Sequence, residues 1–167
     1  QIPQPFHRLT VLENLLISYR RNPGENLLSS IFLGRWHKQE EASAQKALEV
    51  LKMLKLDHQS NTQAYNLSVG QLKLLEIGRI LMTDAKTILL DEPVGSVNPA
   101  LAHEIFSFIQ RLVSDFEMTF LVVEHRIDIA LQYIDHVLVM ANGRLVTEGP
   151  PEEIIRDPVV EEIYLGK

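Results

Sequence analysis

The sequence predicts an α/β fold, and three observations predict it. Thr87-Ile88-Leu89-Leu90 and Phe120-Leu121-Val122-Val123 are short apolar runs of β-compatible residues, each passing directly into polar residues. Between them lies a stretch beginning at Pro99 with the composition and length of a helix. Strand, helix and strand with short connections is the sequence form of a right-handed crossover in a parallel sheet.

The elements follow in order. Pro3 and Pro5 keep the first ten residues in a loop, and Thr10 followed by Glu13 is a capping-box pattern that opens a short helix over 11–19. Residues 20–34 contain Asn22-Pro23-Gly24 and little periodicity, which predicts a surface excursion. From about Lys38, Ala44, Ala47, Leu48, Leu51 and Leu54 recur at helical spacing, and that helix ends near Asp57. A further helix spans 72–81, entered through Leu67-Ser68-Val69-Gly70-Gln71 with Ser68 as its cap. The two apolar runs predict buried strands, with a helix over 99–114 between them. Residues 137–140 and 144–146 flank Asn142-Gly143, the dipeptide favoured in two-residue hairpin turns. Pro151-Glu152-Glu153 opens a last short helix, with acids where the helix dipole favours them.

Composition narrows the function. Hydrophobic residues at 46% and charged residues at 23% exclude a disordered or fibrous chain. A net charge of -6 with no basic stripe argues against a nucleic-acid partner, which would be held through clustered Lys and Arg. No apolar stretch approaches the roughly 20 residues that span a bilayer. Without cysteine there are no disulfides and no thiolate metal sites, which fits a reducing compartment. The chain begins Gln1-Ile2-Pro3, without Met or a leader pattern, so it reads as cut from a longer sequence.

Open α/β sheets place ligands beyond the carboxyl ends of their strands, which directs attention to Asp91, Glu92 and His125. Adjacent carboxylates at such a strand end suit nucleotide hydrolysis, one holding Mg²⁺ and the other polarising water. An acidic Asp-Glu-Pro turn that merely caps a helix is the equally open alternative. Ser68 to Gln71 at a helix start could present N–H groups to an anion, or could simply cap the helix. His7, His37, His58, His103, His136 and Trp36 have no comparable context and read as surface or packing residues.

Taken together the motifs resemble the ABC-type ATPases. Leu67-Ser68-Val69-Gly70-Gln71 resembles the signature LSGGQ, and Thr87 to Pro93, TILLDEP, resembles a Walker B strand with its glutamate. Gly95-Ser96-Val97-Asn98 stands at the D-loop position, His125 at the switch histidine, and Gln1 at the Q-loop glutamine. The resemblance runs from the first residue to the last. LTVLENLL, LVVEH and the tail GPPEEIIRDPVVEEIYLGK are most similar to ATP-binding subunits of branched-chain amino-acid importers, with urea and amide importers close by. A lipopolysaccharide-export ATPase has a similar tail, so an exporter or soluble ABC protein is the alternative, and a non-catalytic docking module a third.

The resemblance implies the carboxyl-terminal part of a P-loop ATPase domain. It would comprise a Q-loop and helical signature subdomain over 1–85, part of the core sheet over 86–148, and a helical tail over 149–167. It implies ATP and Mg²⁺ as ligands, Glu92 as general base, Asp91 with Gln1 at the metal, and His125 at the γ-phosphate. Ser68, Val69, Gly70 and Gln71 would meet ATP on the opposite subunit, beside a D-loop of Ser96, Val97 and Asn98. Asn98 replaces the more usual Asp, and Val69 the central Gly. The implied partners are a second ATPase subunit, identical or not, transmembrane permeases, and indirectly a solute-binding protein. The implied place is the cytoplasm, peripheral on the inner face of the cell membrane. The 167 residues contain no GxxxxGK[ST] loop, the element that cradles ATP phosphates, and Lys73 follows the signature and cannot replace its lysine.

Overall fold

The computed structural model describes residues 4–19 and 33–165. The expected Q-loop residue Gln1 and most of the excursion over 20–34 lie outside the described residues. The chain divides into two units, one ending at Val123 and the other beginning at Glu124.

In the first unit Thr10 caps α1 (Val11–Leu16) through a complete capping box. Its hydroxyl accepts from Glu13 N, and the Glu13 carboxylate accepts from Thr10 N at 2.7 Å. These bonds, the backbone one foremost, hold the Glu13 carboxyl below its ordinary range. The helix is shorter than the expected 11–19 because Ser18 and Tyr19 bond carbonyls three residues back, which tightens the last turn out of α geometry. Fully buried Asn14 ties α1 to the loop before it: its Oδ1 accepts from Phe6 N, and its Nδ2 donates to Phe6 O and Thr10 O.

Helix α2 (Leu33–Met53) begins before the expected Lys38 and ends two residues before Lys55, whose φ of 57° is left-handed. It buries Ala47, Val50 and Leu51, with Leu54 buried just past its end, while Leu48, expected on that face, is exposed. After two short 3-10 turns, α3 (Val69–Leu81) starts three residues earlier than expected, directly at the Ser68 cap. Gly78 is where α3 meets α1 and α2. A Cβ there would stand 2.6 Å from Leu54 Cδ1 and 3.1 Å from Leu15 Cδ2, so only glycine admits this approach.

Strands β1 (Thr87–Asp91) and β2 (Thr119–Val123) pair in parallel, Thr87 opposite Thr119 through Asp91 opposite Val123. Helix α4 (Pro99–Phe116) forms the expected crossover, capped by Asn98 with Pro99 in its first turn, and ends at Glu117 with a left-handed φ of 52°. The expectation of strands buried on both faces is corrected. Ile88 and Leu90 are buried, but Leu89, Leu121 and Val123 are 71%, 46% and 61% exposed, so one face of the pair is open among the described residues.

In the second unit, α5 (Ile127–Ala130) is a helical turn that the sequence reading did not anticipate. The hairpin of β3 (Val137–Ala141) and β4 (Arg144–Gly149) forms as predicted, its second strand longer than the expected 144–146 and its register shifting between Val139 and Met140. Asn142 and Gly143 have φ of 50° and 72°, the two positive values a primed turn requires. The tail carries two helices rather than one, α6 (Pro151–Ile154) and α7 (Pro158–Leu165).

Candidate functional site

Asp91 is the last residue of β1 and its side chain is exposed. Glu92, the next residue, has a φ of 46°, a left-handed conformation that costs an L-residue roughly 1–2 kcal/mol. Such strain persists only where the surroundings over-determine it, and here they do. Glu92 N donates to Val123 O at the end of β2 (2.9 Å). Glu92 O accepts from Gly95 N (3.0 Å) and from the ammonium of Lys73 (3.1 Å). Gly95 leaves little room for a side chain: a Cβ would lie 3.3 Å from Glu92 O and 3.4 Å from its carboxylate Oε2. The turn therefore folds the Glu92 carboxylate back over Gly95, beside exposed Asp91.

The D-loop candidates continue this turn. Ser96 is exposed and left-handed at φ 62°, Val97 is half-buried, and Asn98 Oδ1 accepts from Leu101 N (2.9 Å) to cap α4. An aspartate would make the same capping bond, which accounts locally for Asn98 in place of Asp.

The signature candidates form the first turn of α3. Ser68 Oγ accepts from Gln71 N and Gln71 Oε1 accepts from Ser68 N, so the capping alternative is realised in full. Ser68 and Val69 are exposed, whereas Gly70 is buried against α4, where a Cβ would fall 2.0 Å from Leu101 Cδ2. The start of α3 and the start of α4 thus touch, bringing the signature and D-loop segments together.

His125 belongs to the second unit. Its ring is largely exposed, with Nδ1 3.9 Å from Oε2 of Glu124. The Glu124 carboxylate is itself buried and accepts from the backbone N–H groups of His125 and Arg126.

The structure gives three residues of α3 a part in this site that the sequence did not assign them: Lys73, Glu76 and Arg79. Lys73 is 5% exposed and reaches Glu92 O, as above. Glu76 Oε1 accepts from Gln4 N (2.8 Å) and Arg79 Nη1 donates to Gln4 O (3.2 Å), while the guanidinium lies 5.2 Å from the Phe6 ring. The chain is thereby anchored to α3 three residues after Gln1. The signal was a charged residue at every third position of an otherwise apolar helix. Phe6, Lys73, Ile77, Leu89 and Asp91 line a cavity of about 620 Å³ in this unit.

Among the described residues no cluster of three or more acidic or imidazole side chains is disposed to cage a metal. The donor set still fits Mg²⁺, which is ordinarily held by one or two carboxylates together with substrate phosphates; Asp91 is such a carboxylate. No described helix is long and apolar enough to cross a membrane.

The sequence model of the ABC transporter family matches residues 1–95, more than half of the chain. The chain belongs to the ABC transporter family. It is 51% identical over 168 residues to the probable branched-chain amino acid transport ATP-binding protein LivG of Archaeoglobus fulgidus, covering 99% of this chain and 63% of that protein. It is 49% identical to the protein of the same name from Methanocaldococcus jannaschii, covering all of this chain and 66% of that one. The chain thus spans somewhat less than two thirds of the length of these ABC relatives.

Among solved structures it is similar to the ADP conformation of MJ1267, an ATP-binding cassette of an ABC transporter, with a TM-score of 0.81 at 47% identity over the whole of this chain and 66% of that one. It is also similar to a dimeric post-hydrolysis state of the cassette MJ0796 bound to ADP and phosphate, with a TM-score of 0.69 at 25% identity over 90% of this chain and 60% of that one. The α/β class and the ABC cassette fold are therefore as the motifs imply.

Proposed function

We propose that the chain is the signature- and Walker B-bearing part of the ATP-hydrolysing subunit of an ABC transporter that imports branched-chain amino acids. The observation that carries this is the Glu92 turn, a carboxylate at the end of a parallel strand held in a strained backbone by bonds to both its N–H and its carbonyl. The names of the archaeal relatives supply the substrate class.

In this reading the Glu92 carboxylate accepts a proton from water as the water oxygen attacks the γ-phosphorus of ATP, and ADP departs with the electrons of the broken P–O bond. Asp91 is the carboxylate that would hold Mg²⁺, with Gln1 reaching the same ion. Bound there, the ion would offset charge on the phosphate oxygens. His125 contacts the γ-phosphate. Ser68, Val69, Gly70 and Gln71 meet ATP bound to a second ATPase subunit, and Ser96, Val97 and Asn98 line the contact between subunits; the dimeric relative supports such a pairing. Transmembrane permeases, fed by a solute-binding protein, are the further partners, which places the subunit peripherally on the cytoplasmic face of the membrane.

Glu92→Gln in the full-length protein is expected to slow ATP turnover by about 10² to 10⁴, the loss typical of removing a general base. Near-parental turnover would remove Glu92 from this role. Uptake of leucine, isoleucine and valine by the reconstituted transporter, abolished by the same substitution, tests the substrate class.

A further inference from the structure

We infer that Lys73 is a positioning residue for Glu92, and that through it the start of α3 controls the geometry of the glutamate turn within one subunit. The inference rests on the reading of Glu92 as general base and adds a residue that the motifs do not include.

Lys73 is almost wholly buried, an environment in which an ammonium group is retained only when its donors are occupied. Its Nζ lies 3.1 Å from the carbonyl oxygen of Glu92, which also accepts from Gly95 N. A carbonyl has two lone pairs, and here both are engaged. The Glu92 N–H is fixed by β2, and the ammonium adds a side-chain donor to the carbonyl on the other side of the residue. Without it the carbonyl could rotate toward the ordinary right-handed region and carry the carboxylate off Gly95.

The origin of the ammonium makes the contact more than a staple. Lys73 stands two residues after Gln71, and Gly70, Lys73 and Ile77 share the buried side of α3. Gly70 is pressed on Leu101 of α4, so the first turn of α3 shifts only by moving against the helix that leaves the D-loop. A displacement of the signature turn is transmitted along a rigid helix to the Glu92 carbonyl. Engagement of the partner subunit's nucleotide by residues 68–71 would thereby set the base for the nucleotide held in this subunit.

The test uses the full-length protein with Lys73→Met, Lys73→Arg and Glu92→Gln, reading ATP turnover together with amide hydrogen exchange over residues 92–97. Lys73→Met is expected to lower kcat about 10- to 100-fold, the scale of a small misplacement of a catalytic group. KM for ATP should stay within about twofold, since substrate binding is untouched. The same variant should speed exchange at Gly95. Lys73→Arg, which keeps a charged donor, should restore both. Parental kcat and exchange in Lys73→Met overturn the inference. So does a loss that Lys73→Arg does not restore, or a KM that rises as kcat falls. Should Lys73→Met fail to fold, Lys73→Gln replaces it, with kcat expected below that of the Arg variant and a parental value overturning the proposal. Near-parental turnover in Glu92→Gln would sink the general-base reading alone, leaving the exchange comparison to decide Lys73.

Discussion

Asn14 has no exposed surface, and its carboxamide is satisfied by Phe6 N, Phe6 O and Thr10 O. Truncation would take from the part-buried Phe6 N–H its acceptor and from two carbonyls one of their two donors, leaving Phe6 O with Leu9 N and Thr10 O with the backbone N–H of residue 14. Asn14→Ala is expected to destabilise the full-length protein by about 1–3 kcal/mol, read as a lower urea midpoint at unchanged slope. Part of the capping at this scale was readable in advance. Thr10 with Glu13 and the Ser68 cap act through neighbours three residues away, and a local bond needs only local sequence; the Gln71 half of the second box and the Asn98 cap are added by the structure. Lys73 was not readable. Its partner lies 19 residues on, and no periodicity states which face of α3 will meet the end of β1.

Among the elements, α3 carries the most. Its first turn holds the signature candidates, its middle reaches Glu92, and its last turns grip Gln4 and the helices α1 and α2. Gly78 is the hinge of that packing, because Leu15, Val50 and Leu54 already occupy the space a side chain would need. Gly78→Val is expected to cost about 1–3 kcal/mol, the usual penalty for overpacking a filled core, measured by urea unfolding. A parental midpoint would mean that α1 and α2 yield easily. Element type was legible for α1 to α4 and all four strands, while α5, α7 and most boundaries were not. α2 extends earlier than its apolar stripe and α1 ends sooner, since capping and turn bonds, rather than burial, decide where helices stop.

For the whole molecule, the missing GxxxxGK[ST] loop sets what these 167 residues do by themselves. Even a millimolar ATP complex requires about 4 kcal/mol net, after association costs of roughly 4–15 kcal/mol. The described contacts offer a carboxylate turn and a capped helix start, and neither is a cradle for a triphosphate. Calorimetry of the 167-residue chain with Mg·ATP is expected to show no binding up to millimolar concentration; tight binding would mean that another phosphate site exists. The open face of Leu89, Leu121 and Val123 belongs to the same picture, an apolar surface that in ABC relatives half as long again has more chain available to cover it.

The sequence by itself determined the α/β class, the order of α1 to α4 and the four strands, the hairpin at Asn142-Gly143, and the strand-end position of Asp91 and Glu92, because each rests on periodicity, turn chemistry or spacing within a few residues. Only the tertiary structure decided that Glu92 sits in left-handed backbone, that Lys73 holds its carbonyl, and that Gly70 and Leu101 bring two motifs into contact. Those facts depend on which helix face meets which strand end. That is fixed by the packing of distant segments and leaves no mark in the local pattern.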